Sequence, residues 1–152
     1  MKKINKLSRL KKIVSTLKKE GKIIVFTNGC FDILHLGHLK ILKEAKKQGD
    51  ILIVGLNSDI SIKKNKGFTR PIQDEITRSH ILANMELVDY VILFEEKTPY
   101  NIIKELTPDV LVKGGDWTKN NIIGNDLVKK IYRVKLCSGQ STTNTINKIK
   151  NA

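Results

Sequence analysis

Along the whole chain, short β-branched apolar runs alternate with stretches of helical period, and this alternation leaves few folds open. Residues 7–19 carry apolar side chains at positions 7, 10, 13, 14 and 17 before Gly21 stops the pattern, which predicts a helix. Residues 22–27 read as a buried strand, 37–47 as a helix, and 51–56 as a second strand after Gly49 and Asp50. Residues 57–73 lack a clear period and carry Lys63, Lys64, Lys66, Gly67, Arg70 and Pro71, so a loop with a short helical start is expected. Beyond it, 74–85 is predicted helical and 90–94 a strand. Thr98 then reads as an N-cap, with Pro99 as the first residue of a helix to 106. Residues 110–113 form a fourth strand before Gly114 and Gly115, 121–132 a helix, 134–136 a fifth strand, and Ser141 caps a last helix through 150. The expected fold is α/β, a doubly wound parallel five-stranded sheet with helices on both faces. Such sheets bind ligands beyond the carboxyl ends of their strands.

At 152 residues the chain is long enough for one core and short for two. Residues 21–152 are expected to form one domain, with residues 1–20 as a helix packed on it. The apolar runs are too short to cross a bilayer, and the charged N-terminus lacks the apolar centre of a secretory signal. A cytoplasmic protein with no membrane partner is expected. Cys30 and Cys137 are too few for a disulfide framework and lack the clustered spacing of a zinc site. The formal charge of +13 fits a nucleic-acid surface or a small phosphate-rich substrate. Lysines such as Lys11, Lys12, Lys18 and Lys19 fall at helix-face positions, where a solvated surface is explanation enough.

The stretch FTNGCFDILHLGH, residues 26–38, leaves the carboxyl end of the first strand. Thr27, Asn28 and Gly29 are small residues where a phosphate can approach the backbone, and the helix that follows offers its positive end. His35 and His38, three apart at a helix entrance, can converge on one anion, with Gly37 between them giving close access. Imidazole donors suit a phosphorus centre that grows more negative in its transition state. Two histidines at this spacing can also be surface residues or half a metal site. Neither G-x-x-x-x-G-K-[ST] nor G-x-G-x-x-G occurs, so those two routes to phosphate are closed.

The segment TNGCFDILHLGH resembles the T-x-G-x-F-D-x-x-H-x-G-H signature of the cytidylyltransferase-like nucleotidyltransferases. The resemblance continues through VGLNSDISIKKNKGFTRPI, the block that ends in PDVLVKGGDW, and SGQSTT, and so covers nearly the whole chain from about residue 22. Within the family, NKGFTRPI and PDVLVKGGDW are most similar to heptose 1-phosphate adenylyltransferases. The resemblance implies a Rossmann-like fold and transfer of AMP from ATP to a sugar 1-phosphate, with magnesium assisting. A CTP-dependent glycerol-3-phosphate enzyme and a GTP-dependent heptose enzyme are the alternatives. It further implies that His35 and His38 bind phosphates and stabilise the transition state, and that Asp32 orients the site or the magnesium. Thr27, Asn28, Gly29 and Phe31 would floor the triphosphate. Lys66, with Lys64, would reach it from the loop after the second strand. Arg70 and Lys113 would meet the acceptor, with Arg78 a weaker choice. Gly114, Gly115 and Asp116 would contact the nucleoside, with Trp117 at the rim, and Ser141, Thr142 and Thr143 would close on the phosphates. The partners expected are a nucleotide and a sugar phosphate, with no nucleic acid, in a homodimer.

Overall fold

A computed structural model describes residues 3–115, 118–135 and 141–151. Five strands form one parallel sheet: β1 (Ile24–Gly29), β2 (Ile51–Asn57), β3 (Tyr90–Phe94), β4 (Val110–Gly114) and β5 (Lys130–Val134), in the order β3-β2-β1-β4-β5. The helices are α1 (Leu7–Lys19), α2 (Leu36–Lys46), α3 (Asp59–Lys66), α4 (Glu75–Asn84), α5 (Tyr100–Leu106) and α6 (Thr142–Lys150). The order reverses between β1 and β4, and the crevice beyond their carboxyl ends is the switch point where doubly wound sheets bind ligands.

The alternation of side chains along β1 builds two cores. Val25 faces one side with Val54 and Val112, covered by Leu42 and Ala45 of α2 and by Leu82 and Ala83 of α4. Ile24 and Phe26 face the other side with Ile53 and Leu111, covered by Leu10 and Val14 of α1 and by Ile102, Ile103 and Leu106 of α5. Helices therefore cover both faces.

Aspartates ahead of three strands fix their neighbours. Asp50 accepts from Ile23 N–H at 2.8 Å, Asp89 from Leu52 N–H at 2.7 Å, and Asp109 from Ile24 N–H at 2.8 Å. Each carboxylate takes an amide near the start of the adjacent strand, which pins the register of the parallel pair. At the sheet edge, Ile4 bridges Val91 of β3: Asn5 N–H donates to Val91 O at 3.0 Å and Val91 N–H to Lys3 O at 2.9 Å.

Three predicted elements differ. The helix expected over 121–132 is a short 3₁₀ turn, Lys119–Asn121, then turns and β5, and the fifth strand lies earlier than 134–136. Gly124 has φ +87, and a Cβ there would meet Ile103 Cδ1 at 2.8 Å, so the chain turns against α5 where a helix would have continued. The spacing of Leu127, Val128 and Ile131 mimics a helix because these side chains all reach the α1/α5 core from turn and edge strand. Pro99 is itself the N-cap of α5, one residue later than expected, and makes no side-chain cap bond.

Candidate active site

Between β1 and α2 the chain runs from Cys30 to His35, and two histidines organise its far end. His35 is the N-cap of α2 and His38 is its third residue. Gly37 N–H donates to His35 Nδ1 at 3.1 Å, and His35 N–H donates to His38 Nδ1 at 3.4 Å. Two imidazoles thus form the reciprocal cap usually made by a hydroxyl and a carboxylate. Because each Nδ1 accepts, each neutral ring carries its proton on Nε2, and that N–H is the donor it can offer to an anion.

The ring centroids lie 3.9 Å apart, and Phe31 packs on His38 at 5.1 Å. Burial pushes His38 down to about 4, helped by the His35 ring and the Lys66 ammonium and opposed by Asp32. Burial also lowers His35. At neutral pH the pair is uncharged. The cations come from neighbours: Lys66 acts electrostatically on both His38 and Lys113. Lys113, half-buried at the end of β4, points Nζ at Asn28 Oδ1, 3.4 Å away. Burial lowers its pKa, with the Cys30 thiol opposing and Lys66 adding to the effect. Asn28, Lys113, Pro99 and residues 121–123 line a small cleft of about 70 Å³ there. Larger grooves of about 490 and 450 Å³ lie at the ends of β3 and along α1, and neither is lined by a histidine. The chemistry, not the volume, locates the site.

The other predicted residues fall as follows. Thr27 is buried, and its hydroxyl has no hydrogen-bond partner among the described residues. Gly29 leaves room for Phe31, whose Cε2 would lie 3.1 Å from a Cβ at that position. Gly37 is buried in the first turn of α2. Gly114 ends β4, and Gly115 has φ +107 and donates its N–H to Val134 O at 3.1 Å. Ser141 Oγ accepts from Asn144 N–H at 3.1 Å as the N-cap of α6, Thr142 Oγ1 donates to Asp32 O at 2.6 Å, and Thr143 is exposed in the first turn. Arg70 Nε lies 3.3 Å from Asp32 Oδ2 as a charge contact without hydrogen-bond alignment. Asp116 and Trp117 lie outside the described residues.

Two expectations are corrected, and for Asp32 one of two expected roles is favoured. Lys64 turns away from the histidines: its Nζ donates to Glu95 O at 3.1 Å and it lines the groove beside β3. Two positions along a helix rotate a side chain by about 200°, so Lys64 and Lys66 of α3 face different ways. Phe31 is only 3 % exposed and belongs to the α2/α4 core, supporting the ring of His38 instead of flooring an open pocket. Asp32 is 1 % exposed, and its two oxygens accept from Ile72 N–H at 2.9 Å and Gln73 N–H at 3.0 Å. Among the described residues no group of three or more His, Cys, Asp or Glu is placed to hold a metal ion. Magnesium is commonly held through one or two carboxylates together with substrate phosphates, and Asp32, buried with both oxygens on loop amides, does not fit that part well.

The residue that sequence reasoning undervalued is Arg78, expected only as a weaker choice for meeting the acceptor. It is 1 % exposed and donates to Cys30 O at 2.7 Å, Asn57 O at 2.8 Å, Gln73 O at 2.9 Å and Asp59 Oδ1 at 2.7 Å. It joins the ends of β1 and β2, the start of α3 and the end of the following loop. Its signal was available: it stands four residues before Leu82, on the buried stripe of α4.

Residues 26–149 match the Cytidylyltransferase-like family. The chain belongs to that family. As a cytidylyltransferase-like protein it is a nucleotidyltransferase. It is 52 % identical to the bifunctional protein HldE of Aliarcobacter butzleri over 96 % of this chain and 31 % of that protein. It is 50 % identical to the HldE of Geobacter metallireducens over 97 % of this chain and 31 % of that protein. The chain thus spans about a third of the length of these curated relatives. Among solved structures, a lipopolysaccharide core biosynthesis protein from Thermoplasma volcanium superposes with a TM-score of 0.65 at 35 % identity, covering 78 % of this chain and all of that one. A pantoate-beta-alanine ligase from Francisella tularensis gives the same TM-score at 18 % identity, over 98 % of this chain and 78 % of that one, and shares the fold. No helix among the described residues is long and apolar enough to cross a membrane.

Proposed function

We propose that this nucleotidyltransferase transfers AMP from ATP to heptose 1-phosphate, giving ADP-heptose and pyrophosphate. One observation carries the chemistry: backbone N–H groups fix both Nδ1 atoms of the His35–His38 pair, which leaves two neutral Nε2–H donors at the switch point beside Lys66 and Lys113. An oxygen of the sugar phosphate attacks the α-phosphorus, a new P–O bond forms, and the α–β bridge breaks with its electron pair leaving on pyrophosphate. A phosphate monoester is already an anion near neutral pH, so no general base is required. The histidines donate to oxygens whose charge grows in the transition state, and such donors are most effective when fixed in advance. Lys66 and Lys113 offset the repulsion between two anionic substrates, and Arg70 offers its planar fork to the acceptor phosphate. Gly114 and Gly115 let the nucleoside approach the backbone, and the N-terminal end of α6 takes a phosphate through Ser141, Thr142 and Thr143.

Support for the sugar and the base comes from NKGFTRPI and PDVLVKGGDW, the blocks similar to heptose 1-phosphate adenylyltransferases, and from the bifunctional HldE relatives. Pyrophosphate release from ATP, CTP and GTP, each with magnesium and a panel of heptose and hexose 1-phosphates plus glycerol 3-phosphate, tests the proposal. Release is expected with ATP and a heptose 1-phosphate. Release confined to CTP with glycerol 3-phosphate, or to GTP with a heptose 1-phosphate, overturns it.

A further inference from the structure

Asp32 stands in an uncommon stretch of backbone. Its neighbours Phe31 and Ile33 have φ +46 and +51, and a β-branched residue in the left-handed region is a steric outlier that persists only where its surroundings hold it. What holds this turn is a set of bonds to two distant segments. From the loop after α3, Ile72 and Gln73 donate both amides to the Asp32 carboxylate, Gln73 Oε1 accepts from Ile33 N–H at 3.3 Å, and Arg70 adds its charge. Arg78 clamps the two pieces together, binding Cys30 O on the turn and Gln73 O on the loop. From the C-terminal side, Thr142 Oγ1 donates to Asp32 O at 2.6 Å. The helix that Thr142 opens has no buried residue, and this hydrogen bond ties its start to the turn after β1.

We propose that Asp32 is a positioning residue that latches the 67–73 loop and the N-terminus of α6 to one turn, so that the two phosphate-binding arms are set together, and that it does not ligate magnesium. Each oxygen of the carboxylate accepts one amide of the loop, and the carbonyl of the same residue accepts from α6. Displacing either arm therefore disturbs the conformation on which the other rests, which couples occupancy of the nucleotide and acceptor positions. The latch itself does not depend on which nucleotide or sugar is used; its effect on the two substrates rests on the function proposed above.

Amide hydrogen exchange at Ile72 and Gln73 in the ligand-free protein reads the latch directly. Asp32→Asn leaves one oxygen acceptor and is expected to speed exchange at these amides by about tenfold or more, the scale of a hydrogen bond to a charged group. KM should rise for both substrates together, while the magnesium concentration giving half-maximal turnover stays within about twofold; a metal ligand would shift it far more. Thr142→Val keeps the shape of α6 and removes only the hydroxyl, so it remains informative if Asp32→Asn does not fold. It should speed exchange at Ile72 and Gln73 by about fivefold, the scale of a neutral hydrogen bond passed on through the turn. Unchanged exchange in Thr142→Val overturns the coupling. A tenfold or larger shift in the magnesium midpoint of Asp32→Asn, with the two amides still protected, overturns the latch in favour of a metal ligand. Because exchange is measured without substrate, failure of the latch is distinguishable from a wrong assignment of the reaction.

Discussion

A histidine that accepts a hydrogen bond at Nδ1 loses that bond when the nitrogen is protonated. Acid therefore removes the cap of α2 and the two Nε2 donors in their neutral form at once. His38 has its pKa lowered, chiefly by burial, from 6.5 to about 4. Between those values the unfolded chain binds the proton and the folded chain does not, so the stability from this group is present above pH 6.5 and falls as the pH drops towards 4. Urea unfolding at pH 7 and pH 5 should differ by about 2 kcal/mol on this account, since one pKa unit corresponds to about 1.4 kcal/mol. His38→Ala should remove most of that difference. The same substitution should lower turnover by about 10² or more in a pyrophosphate-release assay, the scale for one positioned donor. Near-normal turnover would exclude the assigned role. The histidines were legible in the sequence because their spacing and the glycine between them carry a physical reason. Arg78 was legible only in its place on the buried stripe of α4; its role makes sense once the carbonyls of Cys30, Asn57 and Gln73 are seen to surround it.

Parallel strands have no hairpins to set their register, and here carboxylates do part of that work. Asp89 is the most connected of the three, accepting from Leu52 N–H and from Lys46 Nζ at 2.5 Å. Asp89→Ala should cost about 1–3 kcal/mol in a denaturant titration, because it leaves a strand amide without its charged acceptor. Loss of less than a few tenths would mean that water replaces the carboxylate without cost. At this scale the first helix and the strands that fill the middle of the sheet were readable, since β-branched runs bounded by Gly-Asp or Pro-Asp leave little choice. The segment between β4 and β5 was not. Its apolar spacing satisfies a helix, and the turn is decided by Gly124 against Ile103, a contact between residues far apart in the chain.

The whole molecule carries a formal charge of +13, yet the histidines at its centre are kept neutral. Attraction of anionic substrates then rests with lysines and arginines, whose fields are screened over about 10 Å at 0.1 M salt. The KM for the nucleotide should accordingly rise when ionic strength is raised from about 0.05 to 0.3 M, with turnover at saturation changing little. A KM indifferent to salt would assign the surplus charge to the solvated helix faces alone. The short pairing of Ile4 with Val91 bears on the molecule in another way. Lys3 reaches from it to Met85 O and Val88 O, so a few residues cover the start of an edge strand and bind the turn before it. An uncovered strand is a template on which other chains can grow. A chain beginning at Leu7 should keep its catalytic groups but self-associate on storage, visible as a rising scattering signal, and its lifetime in solution would be limited by the loss of six residues that take no part in the chemistry.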